Sequence, residues 1–281
     1  MDAILFSEPL TKGRIAYERI ARLQQEIIDL QDRSCFLTVD LGKFRTGLRF
    51  IFLLSCLYYF AQEHERDLRL AVDRKTFNSM KQISVPGIST DGMETHAKRT
   101  GFRLLREPAD VIELVKSILV KFPVKISDSL GEALQINIGE VFNNANDHAG
   151  GSSIIGGWYT KPSGMFCLSC YDTGIGIPES VNRYRESKKI QRVPDNRALE
   201  WAMKKGNTTS PRRGAGLGLD LLKSFCKVNG GAIHICSGNS MYTLYKGEED
   251  FLPLDNQFHG TFFEMSIVPD GDNYFLLEES K

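Results

Sequence analysis

The chain has 281 residues, 42% of them hydrophobic and 25% charged, with 35 basic and 35 acidic side chains. At about 150 residues per domain, this length favours two domains. The balanced charge excludes any overall electrostatic demand for nucleic acid or an anionic membrane, although a local basic patch stays open.

The six cysteines lie mostly inside apolar runs, as small buried hydrophobes do in a reducing compartment. Cys167 and Cys170 have the spacing of a redox or zinc pair. A strand there would turn them to opposite faces, however, and no second such pair completes a zinc site. The first residues lack the basic start and apolar core of a secretion signal. The most apolar stretch, 50–61, falls well short of the roughly 20 residues of a spanning helix and reads as a buried core helix. A cytoplasmic protein with no membrane association is expected.

Ile15, Ile20, Leu23, Ile27 and Leu30 recur at helical intervals and predict an amphipathic helix over 15–30. A short apolar strand is expected over 35–41, a strongly apolar helix over 47–62 and a second strand over 68–72. Together they form a βαβ unit with a parallel pair. The segment 75–83 could add a short helix, and the Pro- and Gly-containing polar stretch 85–99 marks a linker or long loop. Helices follow over 109–122 and 127–147, the second capped by Ser127 or Asp128. Strands over 152–159 and 164–172 are joined by a turn from Lys161 to Gly164. A helical stretch over 179–206, a loop over 207–216 and a helix over 217–228 then lead to strands at 231–237, 240–246 and 260–268. The expected fold class is α/β: a sandwich of helices over one mixed sheet, preceded by a smaller α/β domain. The corresponding ranges are 1–85 for the small domain, 86–107 for the linker, 108–270 for the sandwich and 271–281 for a tail.

Three clusters and one threonine in 140–261 carry the candidate chemistry. Glu140 and Asn144 fall one turn apart on one helix face, with His148 just beyond the helix end. A carboxylate and an amide oxygen there suit a hard cation such as Mg²⁺, and the carboxylate could orient or deprotonate a water. A plain polar helix face is the alternative. Asp172, Gly174 and Gly176 follow an apolar strand. An ionised carboxylate at a strand end can accept from the exocyclic amine of adenine, and glycines after it let a flat base approach the backbone. A tight turn alone would also explain that triplet. Gly214, Gly216, Leu217 and Gly218 open the 217–228 helix, where glycine-rich backbone offers N–H groups and the positive dipole end to phosphates. The spacing is neither the Rossmann fingerprint nor the P-loop. Arg212 and Arg213 could meet a terminal phosphate or a partner, or belong to a solvated loop.

In this order the clusters resemble the GHKL ATPase superfamily, whose ATP-binding domain, the Bergerat fold, is shared by histidine kinases, DNA gyrase, mismatch-repair ATPases and anti-sigma-factor serine kinases. Its N box corresponds to Glu140 through Asn144 to His148, and its DxGxG to Asp172, Gly174 and Gly176. Its phosphate loop corresponds to Gly214, Gly216, Leu217 and Gly218, and Thr261 matches the threonine that assists Asp172 at the adenine. The resemblance covers about 108–270 and implies ATP and Mg²⁺ as cofactors. It implies that Asn144 holds Mg²⁺, that Asp172 reads adenine, that the Gly214 to Gly218 backbone wraps the phosphates, and that 179–213 forms a mobile lid; the residue chemistry adds Glu140 to the metal ligands and Arg213 to the phosphate contacts. Glu140 stands where hydrolysing and serine-kinase members carry their catalytic carboxylate, and the N box is most similar to that of the anti-sigma-factor kinases. Those kinases are usually a single small domain, which this chain is not. The first region resembles a STAS-like domain in element order alone.

A sensor histidine kinase would need a phosphoacceptor histidine on a dimerising hairpin. His64 ends a buried helix and lacks the usual Thr-Pro, so it reads as a surface histidine. A topoisomerase or repair ATPase would need a long transducer after 268. The expected function is a Mg²⁺-dependent ATP-binding protein, a slow ATPase whose lid closure regulates a protein partner. The alternatives are a serine/threonine kinase of the anti-sigma-factor type and an ATP-binding switch without turnover. A homodimer is compatible with each.

Overall fold

Two sheets of opposite character enclose a layer of helices. The structure, a computed structural model, describes residues 2–6, 14–31, 34–39, 48–72, 101–123, 126–149, 154–161, 163–209 and 218–268. The first sheet is parallel, with strands β1 (Asp2–Phe6), β2 (Ser34–Val39) and β3 (Asp67–Val72) side by side in that order. Helices α1 (Arg14–Asp29) and α2 (Leu48–Glu63) make the crossovers. The expected βαβ unit is therefore present and is extended by β1, which the sequence reading did not assign to a strand.

The second sheet has five strands in the order β4 (Arg103–Leu105), β5 (Ile154–Thr160), β6 (Phe166–Asp172), β8 (Glu248–Ile267) and β7 (Ala232–Tyr245). Every neighbouring pair is antiparallel, so the expectation of a mixed sheet is corrected. Hairpins join β5 to β6 and β7 to β8, and short hairpins connect only antiparallel strands. Strand β4 lies in the stretch expected as a linker. The expected 75–83 helix and the 271–281 tail lie outside the described residues.

One face of this sheet carries α3 (Pro108–Val120), α4 (Asp128–Ala149) and α7 (Gly218–Val228), which share a core with Leu168, Ile233, Phe263 and Met265. The other face carries α1 and α2. Tyr17, Ile20 and Ile27 of α1 and Phe52, Leu57 and Phe60 of α2 pack with Tyr159, Tyr171 and Phe262 from the sheet. Ile15 leaves that stripe and is 52% exposed. It stands five residues before Ile20, about 140° around the helix.

Helix α2 meets strands of both sheets, which explains its composition. A helix apolar all round is one buried all round, and Phe52, Leu53, Leu54, Cys56 and Leu57 are each at most 1% exposed. No described helix is long and apolar enough to cross a membrane.

Strand β6 is buried along its whole length because both faces of the sheet are covered. Its alternation sends Cys167 and Tyr171 toward α1 and α2, and Phe166, Leu168 and Cys170 toward α4 and α7. Cys167 and Cys170 thus face opposite ways, as their spacing on a strand requires.

Candidate functional site

The site begins with α4. Ser127 accepts the Leu130 N–H at 3.2 Å, one of the two caps expected, and fixes where the helix starts. Leu130, Leu134, Ile138 and Phe142 bury its inner face. Glu140 and Asn144, together with Val141 and Ala145, then fall on one wall of a cleft. The helix continues to Ala149, so His148 sits in its last turn rather than beyond it. The His148 side chain lies outside the described residues.

The floor is the end of the sheet. Asp172 closes β6 and is in register with Thr261 of β8, which in turn faces Ser237 of β7. Three polar residues therefore form a row across three neighbouring strands. Asp172 is 4% exposed and accepts the Gly174 N–H at 2.9 Å, which tightens the turn that follows. Burial pushes its carboxyl up to about 7, against the lowering effect of hydrogen bonds from Gly174 and Thr261. Desolvation outweighs those hydrogen bonds, and a buried carboxyl so shifted at the edge of a cleft marks a candidate functional group.

Two glycines make this corner feasible. Gly260 has φ +81°, and a Cβ there would lie 1.9 Å from the Asp172 carbonyl oxygen. Gly176 has φ +79°, and a Cβ would press the Ser237 hydroxyl at 2.7 Å. The Ser237 hydroxyl donates to the Gly260 carbonyl at 2.8 Å and accepts the Ile177 N–H at 2.9 Å. It thereby ties the loop after Asp172 to the strand carrying Thr261.

The opposite wall comes from α5 (Ile177–Ser187), α6 (Asp195–Ala202) and the segment after it. Ile177, Val181, Trp201, Asn207 and Thr209 line the cleft, and Leu219 of α7 closes one end. The cleft encloses about 950 Å³ when the open solvent at its mouth is included. The first part of the expected lid is firmly tied down. The Asn182 side chain pairs with the Val193 backbone in both directions, at 3.0 and 2.9 Å. Asp195 accepts the Asn239 N–H of β7 at 2.8 Å, and Glu179 takes both Arg183 and Arg192.

Of the sequence-derived site residues, Glu140, Asn144, Asp172 and Thr261 line the same cleft. Gly174 and Gly176 shape its corner, and Gly218 opens α7 beside Leu219. Arg212, Arg213, Gly214, Gly216 and Leu217 lie outside the described residues. Sequence reasoning missed Ser237 and Trp201. The first left a trace as a hydroxyl after the alternating apolar residues Ile233 and Ile235, and the second as a lone aromatic in a charged helix.

The site and fold define an α/β sandwich protein with a cleft at the end of its antiparallel sheet, where Glu140, Asn144, Asp172 and Thr261 are among the polar side chains that line it. No protein-family model matches the chain, and no curated protein matches it, so the functional reading rests on these residues alone.

Proposed function

We propose that the cleft binds ATP with Mg²⁺ and that the protein is a slow ATPase of the GHKL type which regulates a partner protein. The observation that carries the reading is the convergence of Asp172, Thr261, Glu140 and Asn144, drawn from three separated stretches of sequence, on one cleft. Asp172, ionised, would accept from the adenine amine, with the Thr261 hydroxyl beside it.

The donors suit a hard cation. Glu140 and Asn144 present a carboxylate and an amide oxygen from one helix face, and Mg²⁺ is commonly held by one or two protein oxygens with waters and substrate phosphates. Among the described residues no group of three or more His, Cys, Asp and Glu side chains is arranged for a metal, which fits that sparse mode better than an all-protein cage. When bound, the ion would neutralise phosphate charge. Glu140 would orient or deprotonate the attacking group.

Titration calorimetry with ATP and Mg²⁺ on wild type and Asp172→Asn tests this reading. We expect binding by wild type and a loss of about tenfold or more in the variant, the scale of one charge-assisted hydrogen bond. Equal affinities would remove the adenine assignment. The position of Glu140 one turn from Asn144 also supports a second reading, phosphoryl transfer to a protein hydroxyl, which a labelled γ-phosphate assay separates from hydrolysis.

A further inference from the structure

The N-terminal helix α1 reaches the back of this corner through one side chain. Gln24 is 1% exposed, in a layer of aliphatic and aromatic groups, so its amide needs partners there. It finds them in a defect of β8. Strand β7 advances by one residue from Ser237 to Gly238 while β8 advances by three, from Thr261 to Phe258, and His259 and Gly260 are left out of the ladder. Such bulges leave peptide groups unpaired. The Gln24 amide nitrogen donates to the His259 carbonyl at 2.9 Å, and its oxygen accepts the His259 N–H at 3.0 Å. The same nitrogen donates to the Tyr171 hydroxyl at 2.9 Å, and that hydroxyl donates to the His259 carbonyl at 3.2 Å.

Both residues held by Gln24 adjoin the cleft. Tyr171 precedes Asp172 on β6, and His259 precedes Gly260 and Thr261 on β8. Adjacent strand residues point to opposite faces, so a bond made on the α1 side fixes where the next residue lies on the cleft side. The bulge also brings Gly260 against the Asp172 carbonyl, a contact no other residue type fits.

We propose that Gln24 is a positioning residue of the cleft. By replacing the missing ladder bonds of the His259 bulge, it holds Asp172 and Thr261 at the spacing that reads an amino-substituted purine, and docking of α1 thereby sets base selectivity. This inference rests on the adenine reading above.

The test is calorimetry on the full chain with two probes, ATP and purine riboside triphosphate, which lacks the 6-amino group. Wild type is expected to prefer ATP. Gln24→Leu is expected to weaken ATP about tenfold, the effect of one lost hydrogen bond, with affinity for the second probe unchanged. Thermal melting by circular dichroism establishes that the variant is folded. Should it not fold, Tyr171→Phe removes the two bonds made by that hydroxyl but leaves Gln24 on the His259 peptide, and is expected to narrow the preference in smaller measure. A folded variant with wild-type preference overturns the proposal. Equal weakening of both probes also overturns it, because a general structural role would act on the whole cleft. A wild type that binds neither probe, or both equally, overturns the adenine reading first, and with it the role of Gln24.

Discussion

Arg49 of α2 grips the carboxylate of Glu264 on β8 with a two-pronged hydrogen bond, from Nε to Oε2 at 3.0 Å and from an Nη to Oε1. The Tyr159 hydroxyl donates to the same carboxylate at 2.5 Å. Glu264 is fully buried, in the layer where α1 and α2 meet the large sheet. Burial raises its carboxyl, and the Arg49 charge with the donated hydrogen bonds outweighs that effect, so the group lies below the ordinary carboxylate range. A depressed folded value gives stability that is present above the unfolded value of about 4.3 and lost as pH falls through the folded one.

Removing one partner leaves a buried charge without compensation. Arg49→Met should cost about 3–5 kcal/mol at pH 7, whereas the double change Arg49→Met with Glu264→Met should recover most of that or exceed wild type. Urea denaturation of the three proteins measures it. If the double variant is no more stable than the single one, the ion pair is not what the single change disturbs.

Asp172 should show the opposite pH dependence. Its folded value of about 7 lies above the ordinary carboxylate value of 3.8. Between those two values the folded state keeps a proton that the unfolded state gives up, so its contribution to stability falls as pH rises. Asp172→Asn should therefore melt higher than wild type at pH 8, with the gap closing toward pH 4. Melting curves across that range would count against the assignment if the gap were constant. ATP affinity of wild type should rise from pH 6 to pH 8 as the acceptor ionises.

Gly260→Ala should damage the cleft and the fold together. A left-handed alanine costs about 1–2 kcal/mol, and its Cβ would displace the Asp172 backbone. The expected result is a clearly lowered melting temperature together with at least a tenfold loss of ATP affinity. An intact affinity would show that the corner can relax.

Glu140 and Asn144 should separate chemistry from binding. Glu140→Gln keeps the size of the side chain and is expected to lower phosphate release at least a hundredfold, the scale of a lost general base, while ATP still binds. Asn144→Ala is expected to weaken binding in a way that extra Mg²⁺ partly restores. Phosphate release by Glu140→Gln at the wild-type rate would remove the carboxylate from the reaction.

Much of this arrangement could be read from the sequence, and what could not has identifiable causes. Periodicity located α1 and α2 and the βαβ order, because burial of one stripe or of a whole helix leaves a compositional record. The residues 248–259, by contrast, carry Pro253, Asp250 and Asp255 and show no strand pattern, yet they open β8. Pairing with β7, as between Met241 and Leu252, outweighs local preference there. Strand β4 is three residues long, too short for any period to show. In the site, Glu140, Asn144, Asp172 and Thr261 were found through motif spacing, whereas Ser237 and Gln24 act through bonds to backbone groups. A residue that satisfies a distant peptide has no fixed offset from it.

The coverage of both faces of the large sheet has a further consequence for how this chain can change over generations. Strand β6 has seven successive buried positions and so no neutral side on which substitutions could accumulate singly. Replacement at Cys167 or Tyr171 must suit α1 and α2, and replacement at Leu168 or Cys170 must suit the opposite helical layer. A single substitution in this strand is therefore felt by one packed helical layer or the other, so the N-terminal helices and the cleft-side helices constrain it together.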